Sequence, residues 1–98
     1  MNEKSEVIVC AAIKFNCESN KLSRELVIPM VRHYSPDAHR VLNTIEEFYK
    51  TKQIEQGFIT NFSRYVDRKE ALKIAKANNQ IKHDIGYEPD ELYSEMLY

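Results

Sequence analysis

The stretch V-I-V-C-A-A-I-K-F, residues 7–15, decides the fold. It is apolar, rich in β-branched residues and too short for an ordinary helix, which favours a strand buried on both faces as far as Lys14. We therefore predict that this segment forms a central strand of a sheet.

The next segment should supply a neighbouring strand. Residues 16–24 are polar and fit a long hairpin connection, after which a second strand should run from Glu25 to about His33. Pro29 lies within this second strand and has no N–H to donate to a ladder. The strand is therefore expected at an edge of the sheet or at a bulge.

A first helix is expected from Ser35 to about Lys52. Ser35-Pro36-Asp37 combines a capping hydroxyl, a proline at the first helical position and an acid in the first turn. Apolar residues then recur at spacings of three and four, and Glu46 and Lys50 should pair one turn apart on the exposed face.

A tight hairpin and a second helix should follow. Gly57 is expected to separate the first helix from two short strands, which Asn61-Phe62-Ser63 connects. Asp67 should cap the second helix with Glu70 completing a capping box, and Asn78-Asn79 should end it. One narrow face of this helix should consist of Ala71, Ile74, Ala75 and Asn78, and its small alanines would let the helix lie close to the sheet.

These elements predict one α+β domain over residues 1–98, with a short, mostly antiparallel sheet packed by two helices. The composition, 43% apolar and 30% charged, is typical of a globular domain. No apolar run reaches membrane-spanning length and no signal peptide is evident, so we expect a cytoplasmic protein without membrane contact. Cys10 and Cys17 are interpreted as reduced thiols.

Charge divides the chain into two parts. All 14 Lys and Arg lie at or before Lys82, whereas residues 83–98 carry five acids and no base, so a body of formal charge +4 precedes a tail of −5. The isoelectric point of about 6.3 and this acidic tail favour a small phosphorylated ligand or a protein partner over nucleic acid.

The tail also has an apolar face. If residues 89–98 are helical, that face consists of Leu92, Tyr93, Met96 and Leu97. Such a short helix is marginal by itself, so the tail should dock on the body or on a neighbouring subunit. We expect either a homo-oligomer or a firmly docked terminus.

A first candidate ligand site ends the second strand and opens the first helix. Helix amino termini offer free N–H groups to anions, so a basic, aromatic and hydroxyl cluster there could hold phosphate: Arg32, His33, Tyr34 and Ser35. The alternative is structural, with Ser35 acting only as a cap and His33 as a partly buried strand-end residue.

A second candidate site surrounds the hairpin and the start of the second helix. Its basic and aromatic residues could pair with phosphate and stack on a base: Arg64, Tyr65, Arg68 and Lys69. Alternatively, Arg68 and Lys69 are solvated residues of a first helical turn.

The remaining chemistry signals are weak. His33, His39 and His83 lack metal-ligand spacing, so no metal site is expected, and we predict no cofactor. No phosphate-binding glycine motif or nucleophile elbow is present. We therefore expect binding rather than catalysis, with a small hydrolase that uses His33 or His39 as base as a third hypothesis.

The stretch E-Q-G-F-I-T-N-F-S-R-Y-V-D-R-K-E-A-L-K-I-A-K-A-N-N-Q-I, residues 55–81, and the closing L-Y-S-E-M-L-Y resemble a family of small, uncharacterised proteins of tailed bacteriophages. The resemblance implies an accessory, anti-defence protein in the host cytoplasm. One such class captures nucleotide-derived signals of bacterial immunity, and we expect this protein to bind and sequester such a small ligand without catalysis. A protein–protein inhibitor whose acidic tail binds a basic host surface is the alternative.

Overall fold

The computed structural model describes residues 5–19 and 22–98. The elements, in chain order, are β1 (Ile8–Ser19), β2 (Leu22–Met30), α1 (Pro36–Glu46), β3 (Lys50–Thr60), β4 (Tyr65–Asp67) and α2 (Arg68–Ala77), followed by a 3-10 turn at Ser94–Met96. All strand pairings are antiparallel, in the order β2-β1-β3-β4. The predicted α+β class is therefore confirmed.

The central position of β1 is confirmed. Its apolar middle, Ala11 to Ile13, is completely buried between β2 and β3. The expected connection over residues 16–24 is wrong, because β1 continues to Ser19 and Ser19 pairs with Leu22. The polar residues of this stretch lie at an exposed end of the sheet, where their backbones pair with the neighbouring strand and exposed side chains face water. Residues 20 and 21 of the expected connection lie outside the described residues.

β2 is an edge strand, as Pro29 indicated, and it ends at Met30 rather than near His33. The chain turns sharply after it. Tyr34 adopts a left-handed conformation with φ 59°, and the Ser35 N–H donates to the Arg32 carbonyl at 3.0 Å. This turn stops the strand and directs the chain into α1.

α1 begins after Ser35 as predicted but ends at Glu46, so the expected helix to Lys52 is wrong. Residues beyond Lys50 pair with β1 instead, and Gly57 lies inside β3 rather than before a short strand. The expected Glu46–Lys50 pair is also absent from its helix, since Glu46 accepts a hydrogen bond from Thr51 at 2.7 Å. Apolar spacing persisted through the turn that follows the helix, which made the helix look longer than it is.

The hairpin between β3 and β4 and the start of α2 are confirmed. Ser63 has φ 60° in the turn, and Asp67 Oδ1 accepts the Glu70 N–H at 2.8 Å as the cap of α2. The predicted capping box is incomplete, since the Glu70 carboxylate pairs with Arg64 at 2.6 Å instead of bonding to the Asp67 N–H. Asn79 ends this helical region in the left-handed conformation, with φ 53°. Turn and cap residues satisfy local backbone groups, so these features follow from sequence.

The two helices and the tail pack on the same face of the sheet. Phe58 and Val66 of the sheet join Ala71 of α2 and Leu92 of the tail in one core cluster. The tail is not a helix from residue 89, but it docks on its own body: the Leu92 N–H donates to the Arg68 carbonyl at 2.9 Å, and the Lys82 N–H donates to the Met96 carbonyl at 2.7 Å. Within the described ranges, no helix is long and apolar enough to cross a membrane.

Candidate functional site

Arg68, the first residue of α2, lies at the centre of the candidate site. Its Nη1 donates to the Leu92 carbonyl at 2.6 Å and its Nη2 donates to Gln56 Oε1. The guanidinium carbon also lies 4.8 Å from the centroid of the Tyr93 ring. Three neutral groups, from β3 and from the tail, therefore hold this cation in place.

The Arg68 guanidinium is half-buried and has no carboxylate within 4.0 Å among residues 5–19 and 22–98. Burial lowers the pKa of Arg68. The negative charges of Glu91 and Glu95, which lie beyond 4.0 Å, act in the opposite direction and raise this pKa. A partly desolvated cation with only neutral partners would interact more strongly with an anion, because charge-assisted hydrogen bonds are stronger than neutral ones. The site therefore has the electrostatic character of an anion site.

His33 contacts the same segment of β3. Its Nε2 is 2.8 Å from the Gly57 carbonyl, and its ring meets the Phe58 ring edge-on at 5.0 Å. Because a carbonyl oxygen can only accept, Nε2 carries the proton and Nδ1 remains an acceptor. Burial, with a smaller contribution from the charge of Arg68, lowers the pKa of His33 and keeps the ring neutral near pH 7.

A row of hydrogen bonds along β3 connects Tyr34 with Arg68. The Tyr34 hydroxyl donates to Gln53 Oε1, and Gln56 Nε2 donates to the same oxygen at 3.2 Å. Gln56 in turn accepts from Arg68. Residues of both predicted clusters are thus brought together: His33 and Tyr34 of the first meet Arg68 of the second across the Gln53–Gln56 row, which we call the β3 polar row.

Arg64 is not part of this site. It pairs with Glu6 at 2.8 Å and with Glu70 at 2.6 Å, so two carboxylates surround its charge. The hydrogen bonds from Arg64 and Thr60 lower the pKa of Glu6. This internal ion-pair network leaves Arg64 poorly suited to bind a phosphate.

Tyr65 lies on the opposite face of the sheet, since it alternates with the core residue Val66. Its hydroxyl donates to Glu55 at 2.9 Å, and Lys14 Nζ lies 4.7 Å from the ring centroid. The ring covers Gly57, where a Cβ would come within 2.5 Å of the Tyr65 hydroxyl and 2.2 Å of the Val66 carbonyl. Only glycine fits this position in β3.

The remaining predicted residues are spread around the site. Arg32 donates to the backbone oxygen of Tyr98 and lies 5.3 Å from its ring centroid. The Ser35 hydroxyl bonds to the Arg32 backbone and to Asp37, and it caps no helical N–H. These local bonds lower the pKa of Asp37, whose carboxylate lies at the start of α1. Lys69 is exposed on the first turn of α2.

Sequence reasoning missed Gln53, Gln56 and Tyr93. The two glutamines were assigned to the region between a helix and a short strand, so no shared face could be predicted for them. Tyr93 is 25 positions from Arg68, and no periodic pattern relates two residues at that distance. The available signal was that Gln56 and Tyr93 lie in the two stretches that carry the sequence resemblance.

The fold and site define a small α+β protein in which a docked tail encloses a half-buried arginine. A family model described as "Phage T4 y16D protein" matches residues 7–98. The chain therefore belongs to this family of bacteriophage proteins, as its sequence resemblance suggested. Searches of curated proteins and of solved structures found no match.

Proposed function

We propose that this phage protein binds and sequesters a small, phosphate-bearing, nucleotide-derived ligand without converting it. The observation that carries the proposal is the Arg68 guanidinium, which is half-buried and held only by neutral groups. A ligand phosphate would replace the Gln56 oxygen or the Leu92 carbonyl as acceptor. The exchange favours the phosphate, because the two oxygens that it would replace are neutral.

Neighbouring groups supply the other features that a nucleotide needs. The Tyr93 ring already lies 4.8 Å from the Arg68 guanidinium carbon, and aromatic rings beside a cation can also stack on bases. Gln53, Gln56 and the Tyr34 hydroxyl offer neutral donors and acceptors for a ribose or for base edges. We infer that a signalling nucleotide of host immunity is the biological ligand, consistent with membership of a phage family.

Sequestration is favoured over hydrolysis by the state of His33. Its protonated nitrogen is bonded to the Gly57 carbonyl, and the ring is packed against Phe58. No acid is positioned against His33 within hydrogen-bond distance in the described part of the chain to orient it as a general base. The hydrolase hypothesis therefore has less support than binding.

Titration calorimetry with a panel of nucleoside monophosphates, ADP-ribose and cyclic dinucleotides tests the proposal. Arg68→Gln should weaken binding of the responding ligand by about 1.5–3 kcal/mol, the usual worth of a hydrogen bond to a charged group. The matched control is Lys69→Gln, which removes the neighbouring exposed cation. Recovery of the intact nucleotide after incubation separates binding from hydrolysis.

The proposal fails if no member of the panel binds and if denatured protein from infected cells releases no nucleotide to mass spectrometry. Equal affinities for wild type and Arg68→Gln would remove Arg68 from the site. Conversion of the ligand to a product would replace sequestration with catalysis.

A second candidate function, inhibition of a host protein, is favoured by the docked tail. Leu92 and Met96 are buried, whereas Glu88, Asp90 and Glu95 are exposed on the same segment. An acidic surface held in place by a buried anchor suits a basic protein surface, and its association rate should fall as salt rises. The double variant Glu88→Lys/Asp90→Lys should abolish capture of such a partner without affecting nucleotide binding, since neither carboxylate acts on Arg68.

A further inference from the structure

The β2 edge strand has no neighbour on its outer side among the residues that the structure describes. It spans Leu22–Met30, nine residues, and its middle residue is Leu26. Such an edge exposes a row of backbone N–H and C=O groups that can pair with another strand. Leu26 adds an apolar side chain that is 40% exposed.

One side of α1 is also apolar and exposed. Val41 is 44% exposed, and Phe48, in the turn after the helix, is 73% exposed. The turn after α1 continues the winding of the helix, since Glu47 has helical backbone angles and the Phe48 N–H donates to the Ile45 carbonyl at 3.0 Å. Val41 and Phe48, seven positions apart, therefore lie on one side. Phe48 is the most exposed large apolar residue of the described chain.

This apolar side of α1 faces the β2 edge. His39 lies on the opposite side of the helix from Val41, because two residues correspond to about 200° of rotation. The His39 ring lies 6.0 Å from the Tyr34 ring, and Tyr34 reaches Gln53 of β3. Since the His39 side faces β3, the Val41 side faces β2.

Phe48 lies near the end of the sheet at which the chain passes from β1 to β2. It lines a cleft of about 490 Å³ together with Glu18 and Ser19, whose partners on β2 are Ser23 and Leu22. Leu26 therefore lies along the strand between the levels of Phe48 and of the start of α1. We call Leu26, Val41 and Phe48 the edge patch.

We propose that a second copy of this chain covers the edge patch by antiparallel pairing of β2 with β2, which would form a symmetric dimer with one continuous eight-stranded sheet. A two-fold axis perpendicular to the sheet keeps both helices on the same face. Centred on the strand, the axis places Leu26 opposite Leu26 of the second copy. The two α1 helices then run antiparallel above this seam.

The charges on α1 are complementary in this arrangement. Arg40 and Glu47 are seven positions apart and share one side of the helix. In an antiparallel pair of α1 helices, Arg40 of each copy faces Glu47 of the other. A self-complementary pair of charges beside a shared apolar patch is the pattern that a symmetric interface requires.

The other open edge is less suited to pairing. Residues 50–56 of β3 have β1 on one side only, but Ile54 is an extra residue at a bulge in that pairing. Lys50 and Lys52 are exposed beside it. Bulges and edge lysines both discourage strand addition. Pro29 on β2 removes a single donor near one end of the strand, so most of that edge remains able to pair.

The apolar anchors of the tail, Leu92, Met96 and Leu97, are buried in their own chain and so are not available for a dimer contact. The proposal is independent of the ligand site, which lies on the β3 side of α1. Loss of nucleotide binding would therefore leave it unaffected.

Sedimentation equilibrium and native mass spectrometry test the dimer. The wild-type protein should show twice the 11.5 kDa chain mass. Leu26→Lys and Phe48→Glu should each weaken the dimer at least about tenfold. Phe62→Glu is the matched control, because Phe62 is similarly exposed but lies in the β3–β4 turn, and it should leave the mass unchanged. Circular dichroism checks that each variant is folded.

A cross-linking experiment gives a second readout that does not disrupt the interface. Leu26→Cys should form a covalent dimer under mild oxidation, since directly opposed residues on antiparallel strands have Cβ atoms about 4.5–5.5 Å apart. Ile54→Cys should not. Two results would overturn the proposal: a wild-type mass of one chain at every concentration, or a dimer that survives both patch variants and gives no cross-link in the Leu26→Cys variant.

Discussion

Arg64 and Arg68 lie four residues apart, at the two ends of β4, yet they differ in burial and in the charge of the groups that bind them. Arg64 is exposed and bound by two carboxylates, whereas Arg68 is half-buried and bound by a carbonyl, an amide and an aromatic ring. The first cation is neutralised within the protein and the second is not. Proximity in sequence to a basic cluster therefore says little about which arginine can bind an anion.

The largest expected effect concerns Leu92, the tail residue that anchors the Arg68 site. Leu92 is fully buried, and both its N–H and its carbonyl bond to Arg68. Leu92→Ala should lower the free energy of unfolding by about 2–5 kcal/mol, as expected for a large-to-small core substitution. Chemical denaturation measures this effect.

The control for the Leu92 variant is Phe62→Ala, which removes an exposed ring near Arg64 and should change stability by less than about 0.5 kcal/mol. Comparable losses in the two variants would mean that the tail adds no more to stability than a surface residue.

A smaller difference in the free energy of unfolding should distinguish the variants of the two arginines. Arg68→Met leaves the Gln56 amide oxygen and the Leu92 carbonyl without their donor, which should cost about 1–3 kcal/mol of unfolding free energy. Arg64→Met removes an exposed ion pair, so its effect should be smaller and should shrink further in high salt. Thermal unfolding at low and high salt measures both.

If Arg64→Met proved the more destabilising variant, or if the Arg68→Met loss disappeared in high salt, the assignment of exposed and buried roles to these two residues would be reversed.

The smallest effect concerns pH. His33 has a lowered pKa because it is buried, so between that pKa and the ordinary value of about 6.5 the unfolded chain binds a proton that the folded chain does not. Stability should therefore be complete above about pH 6.5 and should fall as the pH is lowered below it. Denaturation at a series of pH values measures the slope.

His33→Gln retains an amide donor for the Gly57 carbonyl and removes the titration, so it should flatten this part of the profile. An unchanged slope in the variant would assign the pH dependence to other groups.

Local features were well predicted. The β1 centre, the edge position of Pro29, the cap at Asp67 and the turn at Ser63 follow from groups within a few residues of each other. The end of α1 was not predictable from the sequence, because Phe48 and Tyr49 continue its apolar spacing. The residues that follow them pair with β1 and form β3. Pairing with a strand that is distant in the sequence therefore prevailed over the helical spacing of apolar residues.

The candidate site was predicted in part. His33, Tyr34 and Arg68 were selected from their residue types, and the structure brings them around the β3 polar row. Arg64 and Tyr65 were selected by the same reasoning and lie elsewhere, because carboxylates from other segments bind them. Residue type identified candidates, but it could not identify their partners.

The sequence by itself determined the α+β class, the central strand, the two helix starts and the division of charge, because short-range patterning and turn chemistry specify these features. Only the tertiary structure decided that the acidic tail docks on its own body and that Arg68, rather than Arg64, has no carboxylate beside it in the described residues. Both outcomes depend in part on contacts between residues far apart in the sequence, 24 positions for Arg68 with Leu92 and 58 for Arg64 with Glu6. Packing sets such contacts, and no local pattern encodes them.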